Sequence, residues 1–525
     1  MNTHSAVCSQ QKRNKNHQSP RHNDGGQAIN QFTAFSKRSK VMNGSRIITR
    51  ALVAIVSLFL VAGLAMGQNL NLSGGAATLS GTWNVRGNVN NLSATGVKSF
   101  TGTMNLNGTI SAQDVGGVGA AEALSFATLN AVGDQVKNQQ TQVTVTAAFD
   151  INSGVAYNVG ANTLNFGGTT VVTSGSFSAS NASSTVNYTS GSAQTILAST
   201  YGGTLGLSGA GPKDLAAATS AAVVSHTASS GALTVDENLT ITGTGASSLD
   251  AISVTASDIL DVQGSGGATI ANLTSNAGTI QKTSNAGTIT FSQAALTNAG
   301  TITASLGALT FSGDVTNSGG SAVLSLTGTG VANFAEDLTN SGGTLTLNTS
   351  GTQVNYTGTV GQSVASATYY TLAMTGGGVK SAAGNVTIET GGSFDNGTAT
   401  TDMDTYSLSG PSLSQAAGGT MRFGGASNGV VFSTGTVNYN GGDGVTQEIT
   451  GGTYATLLLS RKSGGGTAAK QILGDVVVTT TGNMTVPVET SLELLIGTGS
   501  TALNVNGDFN VDGNVTNAGT ITVGL

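Results

Sequence analysis

A segment that recurs in fixed order constrains the fold of this chain more than any single residue does. Val186-Asn187-Tyr188 is followed by Gln194 and Thr200-Tyr201; Val354-Asn355-Tyr356 by Gln362 and Thr368-Tyr369; Val437-Asn438-Tyr439 by Gln447 and Thr453-Tyr454. Each Gln precedes its second Tyr by seven residues, and a Leu-x-Leu/Met pair follows at Leu205/Leu207, Leu372/Met374 and Leu457/Leu459. The interval from Tyr188 to Tyr356 is twice that from Tyr356 to Tyr439, to within two positions. One unit therefore takes about 84 residues, and a degenerate fourth is expected near Asn272. Self-similarity at a fixed period belongs to repeat architectures, in which each unit buries its apolar face against the next.

A shorter repeat, Asn-Ala/Ser-Gly, begins at Asn276, Asn285, Asn298, Asn317 and Asn340 and returns at Asn517. Copies follow alternating apolar stretches such as Leu306-x-x-Leu309-x-Phe311, a strand–turn–strand rhythm in which Asn and Gly supply the positive φ of a tight turn. One coil of a parallel β-helix takes about two dozen residues, so the long repeat corresponds to about four coils. The expected fold is all-β, an elongated parallel β-helix (β-solenoid) built from repeats. Tandem Ig-like β-sandwiches are the alternative; many such domains carry a buried Trp each, whereas Trp83 is alone here.

Composition fits that reading. Charged residues make up only 8% of the 525, against about 25% in ordinary domains, while Val, Leu, Ile and Thr alternate in short runs. Four prolines exclude collagen. Cys8 is the only cysteine, and His4, His17 and His22 leave His226 as the sole histidine beyond residue 50, so neither a disulfide framework nor a Cys/His zinc site is expected.

Nine of the 19 Lys and Arg residues lie in the first 50 positions; from Gln68 onward 10 basic residues face 24 acidic ones, a formal charge of −14. Such a surface has little means of gripping a phosphate backbone, and no nucleic-acid partner is expected. Arg46 and Arg50 precede the apolar run Ala51–Ala62, and Ala65-Met66-Gly67 supplies small residues before Gln68: the order of an export signal. The expected organisation is residues 1–41, a disordered extension or misassigned start; 42–67, a signal peptide; 68–149, an N-terminal β-rich region; and 150–525, a repetitive β-solenoid. The chain stops just after Asn517-Ala-Gly, and an uncapped last coil is expected to favour self-association or continuation in a longer protein.

The Val-Asn-Tyr … Gln … Thr-Tyr … Leu-x-Leu-Ser-Gly pattern, seen at Leu205-Gly-Leu-Ser-Gly209, resembles the repeat of large secreted surface proteins of Bacteroidetes and Chlorobi type. The Asn-Ala-Gly-Thr-Ile units are similar to the β-helical passengers of autotransporters and filamentous haemagglutinin-like adhesins. This resemblance implies an extracellular, adhesin-like protein and brings no catalytic residues.

Residue by residue, structural roles are favoured. Tyr188, Tyr356 and Tyr439 at fixed repeat positions read as stacked core residues rather than carbohydrate platforms, and Gln194, Gln362 and Gln447 as ligands of turn backbone groups. Asp402/Asp404 is the best carboxylate pair for glycan cleavage if both side chains share one strand face, with Asp258/Asp261 and Glu336/Asp337 weaker. The competing reading of Asp402/Asp404 is a polar loop. His226 lacks a nucleophile elbow, and Gly441-Gly-Asp-Gly444 is a single fragment of a calcium repeat. The expected function is therefore that of a secreted or outer-surface structural, adhesin-like protein acting by multivalent contact. It is expected to have no enzymatic site, cofactor or metal, with surface polysaccharide or a neighbouring or host cell as partner. A β-helical polysaccharide lyase or hydrolase is the alternative.

Overall fold

A computed structural model describes residues 69–523, apart from 93–95, 109–111, 117–122, 411–412, 415–418, 424–433, 440–446, 461–467, 479–483, 487–489, 495–501, 507, 512–513 and 518–519. Residues 1–41 and the export segment 42–67 lie outside the described residues, as does Gly441–Gly444. The described residues all belong to one compact unit, Ala65–Leu525. They form a parallel β-solenoid without a helix.

Each coil contributes strands to three faces. In the first coil Leu70–Leu72 opens face I, Ala77–Leu79 face II and Thr82–Val85 face III. Every named strand pairing is parallel and joins one coil to the next, as in Leu70↔Val89 on face I, Ala77↔Lys98 on face II and Thr82↔Thr103 on face III. Coil length varies, from short steps such as Asn355↔Ala373 to long ones such as Ser99↔Ser125. Most of the extra residues enter at corners, where they leave the register of the faces intact; on face III one enters within a strand, between Ile252↔Leu273 and Ser253↔Ser275. The strand Val143–Ile151 crosses the boundary at 149/150 and pairs on both sides, so the β-rich region and the repeats are one continuous stack.

Alternation places every second side chain inside. On face II the inward column runs through Phe291, Phe311, Phe334 and Tyr356, with ring centroids 5.0, 5.0 and 5.5 Å apart. That spacing is close to the roughly 4.8 Å between hydrogen-bonded strands, so like residues stack on like down the column. Each fully buried large side chain contributes about 2 kcal/mol.

The Asn-Ala/Ser-Gly repeat behaves differently from the turn reading. Asn276, Asn298, Asn317 and Asn340 form a ladder on face III in which each Nδ2 donates to the Oδ1 of the next coil, at 2.8, 2.9 and 3.1 Å. The first three are at most 2% exposed, and none of the four has a positive φ. An amide both donates and accepts, so it can repeat at coil spacing where a carboxylate, which only accepts, could not satisfy both neighbours. Asn285, alone among the five, does adopt positive φ (61°) and sits in a different turn, bonded to the Gln263 carbonyl. The repeat's glycine is required by close approach: a Cβ on Gly300 would lie 2.3 Å from the Gly278 carbonyl oxygen.

Asn298 also donates to the Gly300 and Val323 carbonyls, so its surroundings accept hydrogen bonds almost exclusively. Asn298→Asp is therefore expected to destabilise the fold by about 2–3 kcal/mol at neutral pH, because the carboxylate faces acceptors it cannot bond. Denaturant unfolding at neutral and acid pH checks this. Relative to wild type, the deficit should shrink as the acid protonates and regains one donor.

Candidate functional site

The three Val-Asn-Tyr copies build the same internal clasp. Tyr188, Tyr356 and Tyr439 are 0% exposed, and each meets its second tyrosine hydroxyl to hydroxyl: 3.0 Å to Tyr201, 3.2 Å to Tyr369 and 3.0 Å to Tyr454. In the first copy the Leu197 N–H donates to Tyr188 Oη at 2.9 Å, and the Tyr201 hydroxyl donates to the Leu197 carbonyl at 2.7 Å. The Tyr188 hydroxyl is then left to donate to Tyr201, which closes a ring of bonds with one proton order. Ala365 completes the same ring with Tyr356 and Tyr369. Burial pushes the Tyr356 phenol up to about 12 and raises those of Tyr188, Tyr201, Tyr369 and Tyr454 as well, so these pairs are neutral. They are core elements with no face toward solvent.

Gln194 and Gln362 each bond three backbone groups. Gln194 Oε1 accepts the Ser190 N–H at 3.0 Å, while its Nε2 donates to the carbonyls of Phe166 (2.8 Å) and Gly168 (2.7 Å) one coil earlier. Gln362 repeats this with Gly358 N–H (3.0 Å), Phe334 (2.9 Å) and Glu336 (2.7 Å), and Gln447 donates to the Phe423 carbonyl. Sequence reasoning missed what lies one coil later. Lys213, Lys380 and Lys470 are register partners of the three glutamines and are completely buried. Lys213 Nζ donates to the Ser190 and Gly211 carbonyls at 3.2 and 2.6 Å; Lys380 Nζ reaches the Gly358 carbonyl and, at 2.9 Å, Gln362 Oε1. Burial lowers the pKa of all three, that of Lys470 to about 8.

A further clasp stands in the N-terminal region. Gln113 accepts the Gly108 N–H and donates to the Val85 and Gly87 carbonyls, and Lys137 donates to the Gly108 carbonyl. Leu106 takes the place of the first tyrosine, which hid this copy from a search for Val-Asn-Tyr. The fourth unit expected near Asn272 is geometrical only. Four coils beyond Tyr188 the inward position of face II is Ile270, while Asn272 is exposed. The legible signal for the clasps was a Lys about one coil length after each Gln.

The clasps do not all stand on one face. Tyr188 and Tyr356 both belong to face II, eight coils apart. Tyr439 pairs with Phe423 in the ladder that runs through Gln362–Val364, Val379–Ala382 and Thr400–Asp402, which is face III. The chain between Tyr356 and Tyr439 therefore makes four coils and one further face. The motif keeps its local bonds at two different corners, the one between faces II and III and the one between faces III and I.

The carboxylate candidates do not converge. The strand Thr400–Asp402 ends at Asp402, whose Oδ1 accepts the Asp404 N–H at 3.0 Å, and Asp404 has φ 45°. The pair is thus a tight turn, and the same-face arrangement required for glycan cleavage is not formed. Asp261 bonds Gln263 and Thr283, Asp258 bonds Thr255, and Asp337 accepts the Ser363 N–H at 2.6 Å. Among the described residues no group of three or more His, Cys, Asp or Glu could hold a metal ion. His226, 2% exposed, accepts the Asp250 N–H at Nδ1 (3.2 Å), which places its proton on Nε2, bonded to the Gly231 carbonyl (2.9 Å). Both ring nitrogens are committed to backbone. No protein-family model, curated protein or solved structure matches the chain.

Two expectations follow from this geometry. Gln194→Leu leaves the Ser190 N–H and the Gly168 carbonyl without their partner inside the tube, while the Phe166 carbonyl keeps the Thr189 N–H, and is expected to cost about 2–3 kcal/mol, read by denaturant unfolding. Burial depresses the His226 pKa below its ordinary 6.5. Its contribution to stability is therefore complete above that value and is lost as pH falls through the lower folded value. His226→Gln, which can accept at one end and donate at the other, should flatten the acid limb of a plot of Tm against pH.

Proposed function

We propose that this is a secreted, cell-surface, adhesin-like protein without an enzymatic site, which acts by repeating a weak contact along its stack. One observation carries the reading. The outward row of face II runs coil by coil from Thr78 through Ser99, Ser125, Thr144, Asn165 and Asn187, and later Thr269, Thr290, Thr310, Asn333 and Asn355, to Ser414. Over its seventeen positions the row is Ser, Thr or Asn except at Gly206, Ala373 and Asp395. It offers hydrogen-bonding groups about every 4.8 Å and almost no charge. Six of the ten basic residues beyond Gln68 are the buried lysines 98, 137, 213, 282, 380 and 470, which further removes positive charge from the surface.

A partner suited to such a row is an uncharged polysaccharide, bound by many weak contacts whose combined strength grows with the number engaged. The test uses the full-length protein: fractionation of the producing cells, and retention on an insoluble neutral polysaccharide. The expected result is recovery outside the cytoplasm and retention that persists in high salt, since no ion pairs are involved. A cytoplasmic protein, or one that fails to bind, overturns the proposal.

A further inference from the structure

We infer that Tyr370 carries a subsite for one sugar ring of an uncharged glycan, at the edge of the polar row on face II. The subsite takes its ligand class from the polysaccharide reading, on which it rests, and gives that reading a fixed anchor. Tyr369 is buried in the tube, so alternation turns Tyr370 outward. Every other described aromatic side chain belongs to the core or packs against it. The corner itself has no need of a ring. The residue after the second clasp tyrosine is Gly202 in the copy at Tyr201 and Ala455 in the copy at Tyr454.

The register of three successive coils cuts a slot around this side chain. Tyr370 alone turns the corner between Tyr369 on face I and Thr371 on face II. One coil earlier the same corner takes residues 348–352, and one coil later residues 389–392. Ser350 and Gly351 on one side and Thr390 and Gly391 on the other are exposed, whereas Tyr370 between them is half-buried. The two long corners are the walls of the slot and the short one is its floor. The Tyr370 hydroxyl lies along one wall, where a Cβ on Gly391 would be 3.8 Å from it. In the copy at Tyr201 the backbone closes the equivalent place: a Cβ on Gly202 would run into the Ser180 carbonyl oxygen.

Asn348 and Glu389 hold the place of Tyr370 in the preceding and following coils. Their side chains meet past it, Asn348 Nδ2 donating to Glu389 Oε2 at 3.3 Å, and the Thr390 N–H donates to Glu389 Oε1 at 3.2 Å. A sugar ring presents a face of positively polarised C–H groups and a rim of hydroxyls. The C–H face suits the negative face of the phenol ring. The hydroxyls suit a carboxylate, which only accepts, beside an amide, which also donates. The bond between Asn348 and Glu389 is longer than the usual value of about 2.9 Å, so sugar hydroxyls can replace it at small cost. The Glu389 carboxylate repels anionic glycans and phosphates, which limits the ligand to uncharged sugars.

Isothermal titration of the full-length protein with soluble cellohexaose, maltohexaose and laminarihexaose tests the subsite. At least one of the three is expected to bind. Tyr370→Ala should then weaken binding about tenfold, and Tyr370→Phe should stay within about twofold of wild type, because the ring makes the contact. Tyr370→Ala installs the residue that Ala455 already supplies at that place, so its Tm should match wild type and a loss of affinity is not a loss of fold. Failure of all three sugars to bind, or equal affinity in wild type and Tyr370→Ala, overturns the inference. Retention on an insoluble neutral polysaccharide keeps the two readings apart. Equal retention of wild type and Tyr370→Ala, with no effect of the substitution on titration, removes the subsite and leaves the repeated contact. Tyr370-dependent binding of a hexasaccharide without retention on the polymer does the reverse.

Discussion

The spacing between parallel strands, about 4.8 Å, governs the rest of this molecule. It is close to the contact distance of stacked aromatic rings and spans one amide-to-amide hydrogen bond. A side chain placed at one position of a coil therefore meets its counterpart in the next coil at a favourable separation. Phe291, Phe311 and Phe334 exploit it with rings, and Asn276, Asn298, Asn317 and Asn340 with amides. Once the coils are in register, the interior becomes a set of columns, and each column tolerates only residues that can repeat.

Columns have ends, and the ends carry the cost. The asparagine ladder begins at Asn276, whose Oδ1 is buried without a partner because the preceding coil offers Val254 at that position. The clasps are a second way of managing polar groups inside the tube. Corners turn the backbone away from its ladder, and carbonyls such as those of Ser190, Gly358 and Gly108 then point inward. A lysine ammonium brings three donors to such a place and a glutamine two donors with an acceptor, which is why these residues recur there together. The expense of burying the cation is offset by satisfying several carbonyls that would otherwise remain unpaired.

Motif and coil are independent in this protein. The copies at Tyr188 and Tyr356 return to the same face, whereas the copy at Tyr439 lands on the next one. The clasp reads only the local corner, and two of the three corners accept it. Insertions at corners change the length of a coil without disturbing the columns, so a sequence period and a structural period need not coincide.

Much of this was legible in the sequence, because the repeat and the alternation of apolar residues have only a few folded solutions. The parallel solenoid, the burial of Tyr188, Tyr356 and Tyr439, the backbone role of the glutamines and the four-coil length of the long repeat all follow from pattern and spacing. Other features depended on which residues the stack brings together. Lys380 lies 18 residues from Gln362, a separation that means nothing until both occupy one corner of successive coils. Asn298 looks like a turn residue beside Ala-Gly until its neighbours one coil away prove to be asparagines too. Asp402 and Asp404 share a strand face only if the strand continues, and the reversal at Asp404 ends it. Sequence spacing fixes what a residue can do within its own strand. Contacts between coils depend on corner lengths, and those are settled only when the columns close-pack.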